Sequence, residues 1–115
     1  MPPFKAWDII KVPFPYTDRP VRQRRPALVV SSDGLLGEHG LLWVLMITSA
    51  ENRGWPGDVT VSDLALSGLP APSVIRTAKI ATIEAKDAER MGSLAEADGI
   101  QVAQQLSAIL AKAGH

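Results

Sequence analysis

Residues Leu41–Ser49 read LLWVLMITS, an apolar run that turns polar only in its last two positions. Its seven consecutive apolar residues, Leu41 to Ile47, fall far short of a membrane span. A segment this short with no alternation reads as a strand covered on both faces. Such a strand belongs at the centre of a sheet or beneath a partner subunit.

The flanking segments fit around it. In Trp7–Phe14, Trp7, Ile9 and Lys11 alternate with Ile10, Val12 and Phe14, and the β-branched and aromatic content favours a strand. Pro13 and Pro15 suit its ragged end. Pro15–Arg25 has no periodicity and reads as a long loop. Pro26–Ser32 (PALVVSS) is predicted as the second strand, with Ser32, Asp33 and Gly34 as a turn before the central one. Glu51–Asp58 is a loop, Val59–Val61 a short strand, and Ser62–Pro72 a connection of small residues containing two prolines. Ser73–Ile83 (SVIRTAKIATI) is the last long strand. Two helices are expected after it. Glu84–Met91 is closed by Gly92 at a C-terminal cap. Ala95–Ala113 carries Ile100, Ala103, Leu106, Ile109 and Leu110 as one apolar stripe, entered through a Ser93–Glu96 capping box. Strands first and helices last is an α+β order, and four or five short strands suggest a small barrel with a docked C-terminal helix. At 115 residues the expectation is one domain, 1–115.

Composition removes several chemistries. Without cysteine there is no thiolate nucleophile, zinc knuckle or disulfide framework. The only histidines are His39 and His115, too few for paired imidazoles and poor support for a Ser–His–acid triad. Carboxylates are scattered, which disfavours a metal cage, and no Gly-rich phosphate loop occurs. Twelve basic residues balance twelve acidic ones, so any polyanion site must be local. The first eleven residues hold no signal sequence, and a soluble, cytoplasmic protein is expected.

Arginine carries what remains. Arg19, Arg22, Arg24 and Arg25 place four guanidiniums in seven positions. They form either a solvated basic loop or a grip on phosphate, where a planar bidentate donor outperforms lysine. Arg25 is set apart because Pro26 starts a buried strand directly after it. Thr48 and Ser49 either simply end the central strand or present hydroxyls at a rigid sheet edge. Arg76 sits among Val74, Ile75 and Ile80, where an unpaired charge would be costly. It either pairs with a carboxylate such as Asp18 or Asp58 or lines a site that receives an anion.

In this order, WDIIKVPFPYTD, RRPALVVSS, the terminal ITS of the third strand, GWPGDVTV, SVIRTAKIATI and MGSLAEAD together resemble the MazF/PemK (Kid) family of toxin endoribonucleases from type II toxin–antitoxin systems. The resemblance spans nearly the whole chain. It implies a small SH3-like open β-barrel of about five strands with a short helix and a C-terminal amphipathic helix. It also implies a homodimer, a cognate antitoxin as partner, single-stranded RNA as substrate, and cleavage without metal or other cofactor. The arginine of RRP, here Arg25, matches the family's catalytic arginine. Thr48 matches its catalytic threonine, with Ser49 a neighbouring polar contact. Arg76 matches an arginine implicated in phosphate binding or proton transfer in the Kid-like branch. That branch has an aspartate two residues later, proposed as a base, where this chain has Ala78. Substrate contacts are expected from Tyr16, Asp18, Arg22, Arg24, Ser49, Trp55 and Lys79.

The chemistry suits such a residue set. RNA supplies its own nucleophile, the 2′-hydroxyl, so attack is intramolecular. Preorganised donors then stabilise charge on the phosphorane oxygens, each worth ~3–4 kcal/mol when well placed. Arginine is too weak an acid for a proton shuttle at neutral pH and serves through its charge. Tyr16 and Trp55 either stack unpaired bases or pack their loops, and an antitoxin strand or helix would lie over the groove. Two other readings share the barrel: a gyrase-poisoning toxin of the CcdB type, disfavoured by a last helix without aromatics, and a catalytically silent RNA- or antitoxin-binding relative, favoured by Ala78.

Overall fold

A computed structural model describes residues 4–13 and 24–111. Tyr16, Asp18 and Arg22 lie with the rest of residues 14–23 outside the described residues, whereas Arg24 and Arg25, expected at the end of the long loop, belong to a strand that pairs with the first one. Six strands form one antiparallel sheet: β1 (Asp8–Pro13), β2 (Arg24–Val29), β3 (Leu41–Ser49), β4 (Val59–Thr60), β5 (Ser73–Glu84) and β6 (Glu89–Ser93), in the order β4-β5-β3-β2-β1-β6. Helices α1 (Asp33–His39), α2 (Leu64–Ser67) and α3 (Glu96–Ile109) occupy the connections and the end. The result is an open, curled α+β half-barrel. No helix among the described residues is long and apolar enough to cross a membrane.

β3 has the bounds expected of it and lies inside the sheet, between β5 and β2. Alternation feeds two cores. Ile10, Val12, Ala27, Val29, Leu42, Val44 and Met46 pack on one face. Ile9, Leu28, Leu45, Ile47 and Ile75 pack on the other, beneath Val102 of α3. Trp43 is the exception within the run, at 48% exposed.

Several expectations are corrected. Glu84–Met91 is not a helix: a 3-10 turn at Ala85–Asp87 leads into β6, which pairs with β1. Helix-favouring residues are overridden there by a free strand edge. Gly92 is no helix cap. A Cβ at this position would sit 2.5 Å from the Leu66 and Ser67 carbonyl oxygens of α2, so glycine permits close backbone approach. Ser93 does not cap α3, whose N-cap residue is Ala95; its hydroxyl accepts a hydrogen bond from Arg90 Nη2 at 2.7 Å. The expected stripe of α3 meets the core only at Leu106, which packs half-buried against it. Ile100, Ile109 and Leu110 are exposed, whereas Asp98, Gly99 and Val102 are buried. Asp98 accepts from both the backbone N–H and the hydroxyl of Ser62 at 2.8 Å, which pins the helix beside β4. Finally, Ser32–Gly34 is the start of α1 rather than a plain turn, and the Ser62–Pro72 connection contains α2.

Gly92→Ala is expected to cost about 1–3 kcal/mol in urea unfolding, because backbone must shift to admit the methyl group. Gly37→Ala, in α1 with nothing within 4 Å of the added carbon, should be neutral or slightly stabilising.

Candidate functional site

Strand alternation decides which polar side chains share a face. Reading across the sheet, Ile10 pairs with Ala27, Ala27 with Met46, and Met46 with Arg76. The next row contains Val12 opposite Arg25, and Thr48 opposite Val74. The β2–β3 pairing ends at Ala27↔Met46, and Arg25 and Thr48 each follow two residues beyond that pair, on its face by alternation. Arg25, Thr48 and Arg76 therefore lie on one face of three adjacent strands, at the margin of an apolar core. Directly opposed residues are ~5 Å apart and diagonal ones ~7–8 Å, within reach of two arginine side chains.

Thr48 is buried, and its Oγ1 accepts a hydrogen bond from Asn52 Nδ2 at 2.6 Å. Arg76, 8% exposed, donates through Nη2 to the Arg53 carbonyl at 2.6 Å and to Asp58 Oδ2 at 3.3 Å. Its Cζ stands 4.3 Å from the centroid of the Trp55 ring. Of the two carboxylates considered for Arg76, Asp58 is in contact with it, and Asp18 lies outside the described residues. Asp58 Oδ2 also accepts from the Trp55 N–H at 2.9 Å. Two atoms of this buried pair, Asp58 Oδ1 and Arg76 Nε, have no hydrogen-bond partner.

The β3–β5 register shifts between Leu45↔Ile80 and Met46↔Arg76, so Thr77, Ala78 and Lys79 bulge from the ladder. Thr77 Oγ1 donates to the Gly57 carbonyl at 2.9 Å, while Lys79 points to solvent. Ser49 alternates to the face opposite Thr48, and its Oγ accepts from the Glu51 N–H. Arg24 also falls on the opposite face from Arg25. Its Nη2 donates to the carbonyls of Lys11 and Asp87 at 3.2 Å, clipping β2 to the turn before β6. The structure thus sets Arg25, Thr48 and Arg76 on one face with Trp55 against Arg76, and leaves Arg24, Ser49 and Lys79 apart from it. Asn52 and the Arg53 carbonyl complete the site without having been singled out by sequence; a backbone acceptor leaves no mark in residue identity. Among the described residues, no group of three or more His, Cys, Asp or Glu is placed to hold a metal ion.

The family model for PemK-like, MazF-like toxins of type II toxin–antitoxin systems matches residues 5–110. Among curated proteins no sequence matches the chain. Several solved structures share the fold. A chain of a MazE–MazF complex from Deinococcus radiodurans aligns with a TM-score of 0.74 at 23% identity, covering 95% of this chain and 96% of that one. The Mycobacterium tuberculosis toxin MazF-mt6 aligns at 0.69 and 22% identity, covering 88% and 93%. An endoribonuclease in complex with its cognate antitoxin, from a mycobacterial species, aligns at 0.70 and 15% identity, covering 94% and 93%.

Proposed function

Because the chain belongs to the PemK-like, MazF-like toxins of type II toxin–antitoxin systems, we propose that it is a metal-independent endoribonuclease acting on single-stranded RNA in the cytoplasm. Residues 1–115 act as one toxin domain. The support is the shared face of Arg25, Thr48 and Arg76 on three neighbouring strands.

In this reading the 2′-oxygen bonds to phosphorus as the bond from phosphorus to the 5′-oxygen breaks. The products are a 2′,3′-cyclic phosphate and a 5′-hydroxyl. Arg25 and Arg76 stabilise charge on the phosphoryl oxygens, and Thr48 donates a hydrogen bond to one of them. The 2′-hydroxyl gives its proton to solvent water and the departing 5′-oxygen takes one from water, so none of the three side chains carries it. Trp55, 41% exposed, offers its ring to an unpaired base.

The protein partners are a cognate antitoxin, as in the related complexes, and a second copy of the chain. Trp43, Ile80 and Leu110 line one exposed apolar hollow where β3, β5 and the end of α3 meet. An apolar surface of this kind is the place for the second copy.

Incubating the purified protein with single-stranded RNA in excess chelator tests the assignment. Cleavage to cyclic-phosphate and 5′-hydroxyl ends is expected. Intact RNA, or cleavage only after metal is restored, would contradict it.

A further inference from the structure

The loop joining β3 to β4, residues 50–58, fills the polar partners of the site with its own atoms. Asn52 donates to the Thr48 hydroxyl oxygen, and the Arg53 carbonyl and Asp58 accept from the Arg76 Nη2. Trp55 covers the guanidinium. Yet the arrangement leaves a buried oxygen on Asp58 and the buried Nε of Arg76 without hydrogen bonds. Buried ions normally have every such position satisfied, and a desolvated pair that falls short of this gains little from its contact. The loop's other bonds to its surroundings lie at its two ends, from the Ala50 N–H to the Pro72 carbonyl at 3.0 Å and from the Thr77 hydroxyl to the Gly57 carbonyl at 2.9 Å. Residues 50–56 are all exposed, and the loop contributes no buried apolar side chain to either core. Segments with so few buried contacts open locally at low free-energy cost.

We propose that this loop is an anion-operated latch, in which Asp58 holds Arg76 as an internal substitute for a substrate phosphodiester and RNA displaces it. The proposal rests on the reading of Arg76 as a phosphate-binding group. A phosphate presents two oxygens to one guanidinium, so Nη2 and Nε are both satisfied, and Asp58 returns to water as the loop swings out. The latched population lowers the apparent affinity for RNA in proportion to its share.

Asp58→Asn removes the charge while keeping an oxygen that can accept from the Trp55 N–H. With a short single-stranded RNA of randomised sequence, 2′-fluoro-substituted so that it cannot be cleaved, the variant should bind about five-fold more tightly or better than the wild type. In the wild-type protein, hydrogen exchange across residues 50–58 should speed up when this RNA binds; should the variant not fold, this second measurement decides alone. Unchanged or weaker binding by Asp58→Asn, or slower exchange of 50–58 on binding, overturns the latch and leaves the RNA reading standing, with Asp58 then a positioning residue for Arg76. Failure of both proteins to bind RNA overturns that reading and the latch with it.

Discussion

Arg25→Ala is expected to slow single-turnover RNA cleavage by about 10²–10³-fold, the loss that follows removal of one preorganised donor from a developing oxyanion. Arg25 sits at the margin of the sheet, half-buried, one row beyond the apolar pair Ala27 and Met46. Truncating it therefore opens no cavity in either core, and the unfolding midpoint should change little. Arg25→Lys separates charge from geometry. Lysine restores a point charge but not the planar fork that matches two phosphate oxygens, so activity should recover only in part. Wild-type rates in Arg25→Ala would remove this residue from the reaction.

Thr48→Val should produce a loss approaching the same size, about 10²-fold. Thr48 is 5% exposed inside β3, so the informative substitution keeps its shape. Valine is isosteric and β-branched, suits a strand, and lacks only the hydroxyl. Asn52, which donates to that hydroxyl, is exposed and can turn its amide to water. The variant should thus fold normally and fail in catalysis. Thr48→Ser is the counterpart: it keeps the donor, loses a buried methyl group at a cost of about 1 kcal/mol, and should retain most activity. Equal rates for the valine and wild-type proteins would leave Thr48 a purely structural residue.

What the sequence made legible followed from strong local patterns. The unbroken run Leu41–Ser49 delivered β3 with its bounds, and the strand order along the chain gave the α+β class. The failures share a cause, namely that long-range contacts decided what local signals could not. Glu89–Ser93 became a strand because β1 had an unpaired edge, and Gly92 is glycine because α2 crosses over it. α1 has no buried residue and so carries no apolar stripe to announce it. On α3 the conspicuous Ile100, Ile109 and Leu110 are exposed, while a buried carboxylate and a glycine make the contact. Gly99 lies against the Trp7 ring, which would be 3.4 Å from an added Cβ.

The site divides in the same way. Arg25 stood out by preceding a buried strand, Thr48 by ending one, and Arg76 by being a charge within one. Asp58 was one of two carboxylates considered for Arg76, and its contact with the guanidinium depends on how the 50–58 loop closes. Asn52 and the Arg53 carbonyl act through the shape of the 50–58 loop, which no residue pattern specifies.

A crystal structure of the protein bound to 2′-fluoro RNA most directly tests the claim that two guanidiniums and one hydroxyl act on a single phosphodiester. The expected result is Arg25, Thr48 and Arg76 all within hydrogen-bonding distance, about 3 Å, of oxygens on the same phosphate. RNA seated elsewhere, or the three side chains contacting separate phosphates, would contradict it.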